Sequence, residues 1–266
     1  MINAIKFLIP LGIGQKKTGL EKGVSYISNY YKNIKSEKFK FNSDNKKVEI
    51  YNKLKNDVSK IKNKYDYFLF IGGDHSISLG SISGLYSNTS EDDICVIWLD
   101  AHTDINIFSK SKTGNIHGMP LAGLLGELEK PYKEFKCLNH NQICYFGTRS
   151  IDDYEKEYIK KNNIKNITMN DINKDLNGSL NELKNFINNR NVHLSFDVDI
   201  MDPSIISSTG VLEKDGMNII QMKKTLEYLK QFNIKSTDIV EFNPELGNKE
   251  KSLNELKKLL DILILK

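Results

Sequence analysis

The chain has 266 residues, 39% of them hydrophobic, and a formal net charge of +4. This length allows one large α/β domain or two small ones, with enough apolar side chains for a substantial core. The basic residues are scattered rather than massed, which argues against nucleic acid as a partner, and no apolar run is long enough to cross a membrane.

Short apolar runs alternate with longer helical patterns. The predicted strands are, in chain order, Ala4–Leu11, Tyr67–Ile71, Ile94–Leu99, Gln142–Phe146, Ile164–Thr168, Val192–Phe196 and Thr237–Phe242. The predicted helices are Gly23–Asn33, Lys46–Asn63, Ser76–Tyr86, Pro120–Leu128, Ile151–Asn162, Ser179–Asn188, Asn218–Phe232 and Lys249–Ile264. Continuous apolar runs such as FLFIGG and ICVIWL are typical of parallel strands covered on both faces. The pattern predicts one α/β domain, residues 1–266, with a doubly wound sheet.

Acidic and histidine residues follow three of the predicted strands, where such a sheet forms its binding crevice. They lie in the segments GGDHS, WLDAHTDIN and SFDVDIMDP. Alternate residues of an extended chain share a face, so the side chains within each segment are expected to converge. The candidate metal ligands are His75, Asp100, His102, Asp104, Asp197 and Asp199.

Four carboxylates in one crevice would repel one another and take up protons unless cations lay between them. Two divalent ions would balance the charge. The set is rich in oxygen, has two imidazoles and lacks thiolates, which favours manganese and leaves iron, cobalt and nickel open. Each motif alone is more often a turn or a polar loop; their occurrence together at three strand ends carries the prediction. Asp202, before Pro203, is expected to cap a loop.

Six segments together resemble the ureohydrolase family and are most similar to its arginase branch. In chain order they are IGQKKTGLEKG, GGDHS, WLDAHTDIN, GNIHGMP, SFDVDIMDP and IVEFNPELG. The resemblance covers nearly the whole chain and implies a three-layer α/β domain whose parallel, eight-stranded sheet lies between helices. The segment KFKFNS near Lys40 is a candidate for the eighth strand. The family also implies a homo-oligomer, a trimer or a hexamer.

The resemblance implies a centre of two Mn²⁺ per subunit. One ion would bind His75, Asp100, Asp104 and Asp197. The other would bind His102, Asp199 and the same two bridging residues, Asp100 and Asp197. A hydroxide between the ions would attack the guanidinium carbon of L-arginine, giving L-ornithine and urea, and Asp104 would relay its proton.

Two further residues are candidates for the chemistry. His117, in GNIHGMP, is the candidate proton shuttle because an imidazole titrates near neutrality; the alternative is a histidine that caps the helix near Pro120. Glu241, in VEFNPELG, is the candidate partner of the planar guanidinium; the alternative is an ordinary ion pair with a surface lysine.

The far end of the substrate distinguishes arginine from agmatine, which lacks the α-carboxylate. The residues that match the family's substrate positions are Asn106, Thr113, Asn115, Asp152, Glu155 and Thr209. Asp152 could equally be an acid at a helix N-terminus. In the loop that follows MDPS, Val211 stands where the family usually has a hydroxyl, and charged residues replace paired glycines. The matches favour arginase over agmatinase or another guanidino-acid ureohydrolase.

Three other expectations complete the interpretation. The three cysteines match neither a zinc site nor a disulfide framework, so a reducing, cytoplasmic compartment is expected. A non-catalytic relative would have lost metal ligands, and none of the six is lost. The related deacetylase architecture binds one zinc ion and would not need His75, Asp104 or Glu241.

Overall fold

The computed structural model of the protein describes residues 3–264. The strands are β1 (Ala4–Ile9), β2 (Lys35–Lys38), β3 (Tyr67–Gly72), β4 (Ile94–Leu99), β5 (Ile143–Thr148), β6 (Lys165–Thr168), β7 (Asn191–Asp197) and β8 (Ile234–Val240). The helices are α1 (Leu20–Ser28), α2 (Lys47–Ser59), α3 (Ser78–Tyr86), α4 (Pro120–Leu125), α5 (Asp153–Lys161), α6 (Met169–Lys174), α7 (Leu176–Ile187), α8 (Ile219–Leu229) and α9 (Lys249–Ile264). None of the helices in this range combines the length and apolar character that crossing a bilayer requires.

The eight strands form one sheet in the order β2-β1-β3-β8-β7-β4-β5-β6, and every neighbouring pair is parallel. All strands therefore end at the same edge of the sheet. Strands β3, β8, β7 and β4 occupy its centre. The loops that follow these four strands are neighbours in space although they are far apart in the sequence, which is how the sheet brings the acidic and histidine motifs together.

Two apolar clusters cover the two faces of the sheet and form the core. Side chains of β3 show the division, because Phe68 and Phe70 belong to one cluster while Leu69 and Ile71 belong to the other. Helices α2 to α5 contribute to the first cluster, and α1 and α6 to α9 to the second. The apolar runs of the central strands are explained by this double burial.

The predicted fold class is confirmed, since one parallel eight-stranded sheet lies between two layers of helices. The eighth strand, however, precedes most of the KFKFNS segment. Strand β2 spans Lys35–Lys38 at the sheet edge, and all its side chains are exposed, so it has no apolar pattern. Phe39, which follows it, is buried in the core and accounts for the apolar signal.

Helix α6 is absent from the sequence-based prediction. Its six residues are too few to show a helical period. The signal that remains is at its start, where the Thr168 hydroxyl accepts the Asp171 N–H and the Asp171 carboxylate accepts the Thr168 N–H. This reciprocal cap is the recognisable feature of so short a helix.

Candidate metal centre and active site

Three of the four central strands lead into the same local turn, in which an aspartate side chain accepts the N–H of the residue two positions further on. The aspartates and their donors are Asp74 with Ser76 (2.9 Å), Asp100 with His102 (2.7 Å) and Asp197 with Asp199 (2.9 Å). A hydrogen bond from a nearby backbone N–H to an aspartate side chain replaces the backbone hydrogen bond that continued sheet pairing would give. Each turn therefore bends the chain at the sheet edge.

These turns correct the expectation of an extended chain whose alternate residues share a face. Strand β4 ends at Leu99, and Asp104 has a left-handed φ of 49°. Asp199 lies in a single 3₁₀ turn, Val198–Ile200, beyond the end of β7. The side chains converge because the chain turns after the last residue that pairs in the sheet. The two-residue period of an extended strand is not the cause.

His75 lies at the middle of a first group of candidate metal ligands. Its Nδ1 atom is 3.1 Å from Asp100 Oδ2, 3.0 Å from Asp104 Oδ2 and 3.2 Å from Asp197 Oδ2. All four side chains are buried. Ligand atoms of His75, Asp100 and Asp104 are close enough to one another to hold one metal ion.

His102 lies at the middle of a second group. Its Nδ1 atom is 3.0 Å from Asp199 Oδ2 and 3.4 Å from Asp100 Oδ1. Ligand atoms of Asp100, His102 and Asp199 could also hold one ion. Asp100 is shared by the two groups, with one oxygen facing each, as a residue that bridges two ions would be.

The electrostatics of this cluster favour a bound cation. Burial and the neighbouring Asp100 raise the pKa of Asp104 to about 7. Burial also raises the pKa of Asp197 well above its ordinary value, as does repulsion from Asp199 and Asp100. The pKa of Asp199 is raised by burial and by Asp100. Carboxylates that repel one another in a buried site are stabilised by positive charge placed between them.

Two buried atoms test whether a metal ion fits. His75 Nδ1 and Asp100 Oδ2 are 3.1 Å apart, yet neither forms a hydrogen bond within residues 3–264. Buried polar atoms are rarely left without a partner, and atoms that face one common point are typical of metal ligands. Carboxylate oxygens and imidazole nitrogens with no thiolate suit a divalent ion. The residues present therefore fit a metal site.

The His75 ring is held in place by two contacts. Its Nε2 atom is 2.7 Å from Ser195 Oγ. The ring also stacks on Trp98, with the ring centroids 4.1 Å apart and the planes at 6°. A partner on the second ring nitrogen fixes the orientation and tautomer of a ligand histidine. Ser195 lies two residues before Asp197 on the same face of β7, and that spacing is the signal by which the sequence could reveal it.

Glu241 follows β8 and points into the same region. Its backbone has a left-handed φ of 64°, and its N–H donates to Gly73 O at 2.7 Å. Its carboxylate Oε1 accepts the His75 N–H at 3.0 Å and lies 3.1 Å from His117 Nδ1. Glu241 is only 4% exposed, so it does not form the surface ion pair with a lysine that was the alternative.

His117 lies in a single 3₁₀ turn, Ile116–Gly118, just before α4. It does not cap that helix: the N-cap residue is Met119, and no side chain bonds to the helix start. Burial lowers the pKa of His117, but the facing Glu241 carboxylate, together with Asp104 and Asp74, raises this pKa overall. The ring is therefore part of the site rather than of the helix terminus.

A glycine-rich loop between β1 and α1 closes this side of the site. Gly14 N–H donates to Asp74 Oδ2 at 2.6 Å, and Gly14 O accepts the His117 N–H at 3.3 Å. The next residue, Gln15, has its Nε2 atom 2.8 Å from Glu241 Oε2 and 3.4 Å from His117 Nδ1. Gln15 belongs to the IGQKKTG segment, the first of the six segments that resemble the family, and this membership is the feature of the sequence that could have identified Gln15 as a site residue.

A cavity of ≈ 190 Å³ opens beside the two ligand groups, a size that suits a small molecule. His117 and Glu241 line it together with Asp104. Of the six candidate substrate-binding residues, five also line it: Asn106, Thr113, Asn115, Asp152 and Glu155. Thr209 does not line the cavity; it is 3% exposed and pairs through its backbone with Phe242. Val211 lines the cavity instead.

The candidate residues for the amino-acid end form one connected group. Asn106 Nδ2 donates to Asp152 Oδ2 at 2.9 Å. Asp152 opens α5, and its N–H donates to Glu155 Oε2 at 3.0 Å. Asp152 is therefore the N-cap residue of α5 and also lines the cavity. Thr113 lies in an exposed loop, where its hydroxyl accepts the Asn115 N–H at 3.2 Å.

The loop after MDPS is fixed to the strand ends by Arg149. The Arg149 guanidinium donates to Asp199 O at 2.7 Å and to Glu213 O at 2.9 Å. Glu213 Oε1 accepts the Ser150 hydroxyl at 3.0 Å. Asp202 caps this loop as predicted, since its carboxylate accepts the N–H groups of Ser204 and Gly216.

Residues 8–263 match the model of the family described as the Arginase family. The chain belongs to the arginase family. Arginase of Staphylococcus aureus (strain COL) is 36% identical over 220 residues, which are 80% of this chain and 72% of that relative. Arginase-1 of Bos taurus is 37% identical over 207 residues, which are 73% of this chain and 64% of that relative.

Solved structures of arginase-family members have the same architecture. Arginase from Bacillus subtilis superimposes with a TM-score of 0.90 at 28% identity, covering 99% of both chains. Arginase of Entamoeba histolytica, in complex with L-ornithine, has a TM-score of 0.89 at 26% identity, covering 98% of both chains. The predicted membership is thereby confirmed, and the chain is an arginase-type ureohydrolase enzyme.

Proposed function

We propose that this arginase-family chain hydrolyses L-arginine to L-ornithine and urea at a centre of two Mn²⁺ ions. The observation that carries the proposal is the pair of ligand groups that share Asp100 beside a cavity containing Glu241 and His117. The names of the curated relatives support the substrate, since those at 36–37% identity are arginases.

The proposed ligands divide as the two groups suggest. His75, Asp104 and Asp100 would hold one ion, and His102, Asp199 and Asp100 the other, with Asp197 between them. Metal ions held by these residues would supply a water of lowered pKa, which is the nucleophile that a guanidinium carbon requires. Asp104 lines the cavity next to this centre and is proposed to take up the proton released there.

Glu241 is proposed to bind the guanidinium group. A carboxylate and a guanidinium are both planar and form two parallel hydrogen bonds, which orients the carbon as well as binding it. The bonds that the Glu241 carboxylate already makes to the protein hold it in one orientation before substrate arrives. Preorganisation of this kind lowers the entropic cost of alignment.

His117 is proposed to protonate the leaving amine. Its Nδ1 faces the Glu241 carboxylate, which favours a hydrogen on that nitrogen and leaves Nε2 to exchange a proton with the substrate. An amine leaves as a neutral molecule only if it is protonated as the carbon–nitrogen bond breaks. His117 lines the cavity and is therefore within reach of a small substrate.

The amino-acid end of arginine is proposed to bind Asn106, Thr113, Asn115, Asp152 and Glu155, with acidic groups facing the α-ammonium. Agmatine, or another guanidino compound, is the alternative substrate. The observation that favours this alternative is Val211, whose apolar side chain lines the cavity where the family usually has a hydroxyl. An apolar side chain offers no hydrogen bond to the α-carboxylate that distinguishes arginine from agmatine.

Urea release after manganese loading tests the proposal, with L-arginine, agmatine and 4-guanidinobutyrate as substrates. Turnover with a preference for L-arginine is expected. A preference for agmatine would make the chain an agmatinase, and absence of turnover with every guanidine would refute the catalytic proposal. Metal analysis of the loaded protein should give two manganese ions per subunit.

Three broader properties belong to the same proposal. The chain is proposed to form one domain and to assemble as a trimer or hexamer, which light scattering after size exclusion measures. A reducing, cytoplasmic location is supported by Cys95, Cys137 and Cys144, which are all free thiols. Burial raises the pKa of each, so none is poised as a reactive thiolate.

A further inference from the structure

The glycine-rich loop brings an amide side chain into the site that the proposed mechanism does not use. Gly14 makes this possible, because a Cβ on that residue would lie 2.4 Å from Asp74 Oδ1. The close approach lets the Gly14 backbone bond to Asp74, beyond the end of β3, and to the turn that carries His117. The side chain of the next residue, Gln15, is then buried, at 9% exposure, between Glu241 and His117.

The contacts of the Glu241 carboxylate are divided between its two oxygens. Oε1 accepts the His75 N–H and faces His117 Nδ1. Oε2 accepts Gln15 Nε2 at 2.8 Å, and within residues 3–264 it has no other hydrogen-bond donor. If Gln15 were removed, the carboxylate would be held through one oxygen only and could turn about the bond that joins it to the side chain.

Such a rotation would matter because the backbone of Glu241 cannot compensate. Its left-handed φ of 64° and its bond to Gly73 O fix where the side chain begins. The last torsion of a glutamate is broad, so the orientation of the carboxylate plane depends on its hydrogen bonds. Paired bonds to a planar guanidinium require that plane to be set.

We infer that Gln15 is a positioning residue for guanidinium recognition, holding the plane of the Glu241 carboxylate through Oε2. The inference rests on the proposed function, because it assumes that Glu241 binds the guanidinium group. Gln15 does not contact the proposed metal ligands through its side-chain hydrogen bonds. Its effect should therefore fall on the guanidinium end of a substrate and not on the amino-acid end.

The test compares Gln15→Leu with the matched control Lys16→Ala, an exposed neighbour in the same loop, in the manganese-loaded full-length chain. L-Ornithine has the amino-acid end of arginine and lacks the guanidinium group. In Gln15→Leu, kcat/KM for L-arginine should fall about tenfold or more, since a hydrogen bond to a charged group is stronger than one between neutral groups. The Kd for L-ornithine, measured by titration calorimetry, should change less than about twofold.

Several results would overturn the inference. One is an unchanged kcat/KM for L-arginine. Another is a loss of affinity for L-ornithine as large as the loss of kcat/KM for L-arginine, which would indicate a merely structural role. Gln15→Glu supplies a second variant of the same shape that removes the donor and adds repulsion, and its loss should exceed that of Gln15→Leu. Melting temperatures of both variants, set beside Lys16→Ala, exclude unfolding as the cause.

A crystal structure of Gln15→Leu gives a readout that needs no turnover. The Glu241 carboxylate should be rotated from its orientation in the unaltered protein, and an unrotated carboxylate would overturn the inference. If the unaltered protein hydrolyses no guanidine, the proposed function fails, and this structure still decides whether Gln15 positions Glu241.

Discussion

Replacement of His117 by alanine separates proton transfer from metal binding. The imidazole faces Glu241 and Gln15 and is not a member of either ligand group. Its backbone bond to Gly14 O does not depend on the side chain and is retained. The Glu241 carboxylate keeps its bonds to the His75 N–H and to Gln15, so guanidinium binding should change little.

The expected loss in His117→Ala is therefore in turnover. A positioned general acid contributes about 10²–10⁴-fold, which corresponds to roughly 3–5 kcal/mol of activation free energy. The measurement is kcat and KM for L-arginine by urea release, with manganese content determined on the same sample. The kcat should fall by about 10²-fold or more, KM should change by less than about threefold, and both ions should remain bound. Loss of one ion, or an unchanged kcat, would refute the assignment of His117 as proton donor.

Three further predictions concern the cavity wall, the metal and the core. Val211→Thr restores a hydroxyl to the cavity and should lower KM for L-arginine without a change in melting temperature; a higher KM would contradict the role given to this wall. Chelation of the metal should lower the melting temperature, since a bound ion at a concentration of about 100 times its Kd stabilises the folded protein by roughly 2.7 kcal/mol. Equal melting curves with and without chelator would argue against bound ions. Burial alone would raise the pKa of Asp238, but His193, Ser78 and Ser81 lower it below its ordinary 3.8, so the stability that this carboxylate contributes is present above that pH and is lost as pH falls below it. Asp238→Asn should therefore reduce the fall in melting temperature that the protein shows as pH decreases. If the variant lost melting temperature with decreasing pH as the unaltered protein does, the buried carboxylate would be excluded as the source of that fall.

The sheet was largely predictable because its strands are covered on both faces. Double burial produces the continuous apolar runs of β3, β4 and β5, which the sequence displays directly. Strand β2 lies at the edge with every side chain exposed, so nothing in its residue types distinguishes it from a loop. The order of the strands is a property of the assembled sheet, and the pattern of residues along the chain does not indicate it.

The candidate site could be predicted where residue chemistry and position coincide. Aspartates and histidines at the ends of buried strands are costly without a partner, so their presence points to a metal site. The way in which they converge was not predictable from periodicity, because the chain leaves the strand geometry at Asp100 and Asp197. Gln15 is an uncharged residue in a loop, and its relevance depends on contacts with residues more than a hundred positions away.

The stacking of Trp98 on His75 gives this enzyme a built-in optical reporter. The sequence contains one tryptophan, so all indole fluorescence comes from the ring that lies 4.1 Å from a proposed metal ligand. An imidazole that gains a proton or a metal ion changes the electric field at a stacked indole, and the emission changes with it. Arrival and departure of ions could therefore be followed in real time without a dye, a label or a coupled assay.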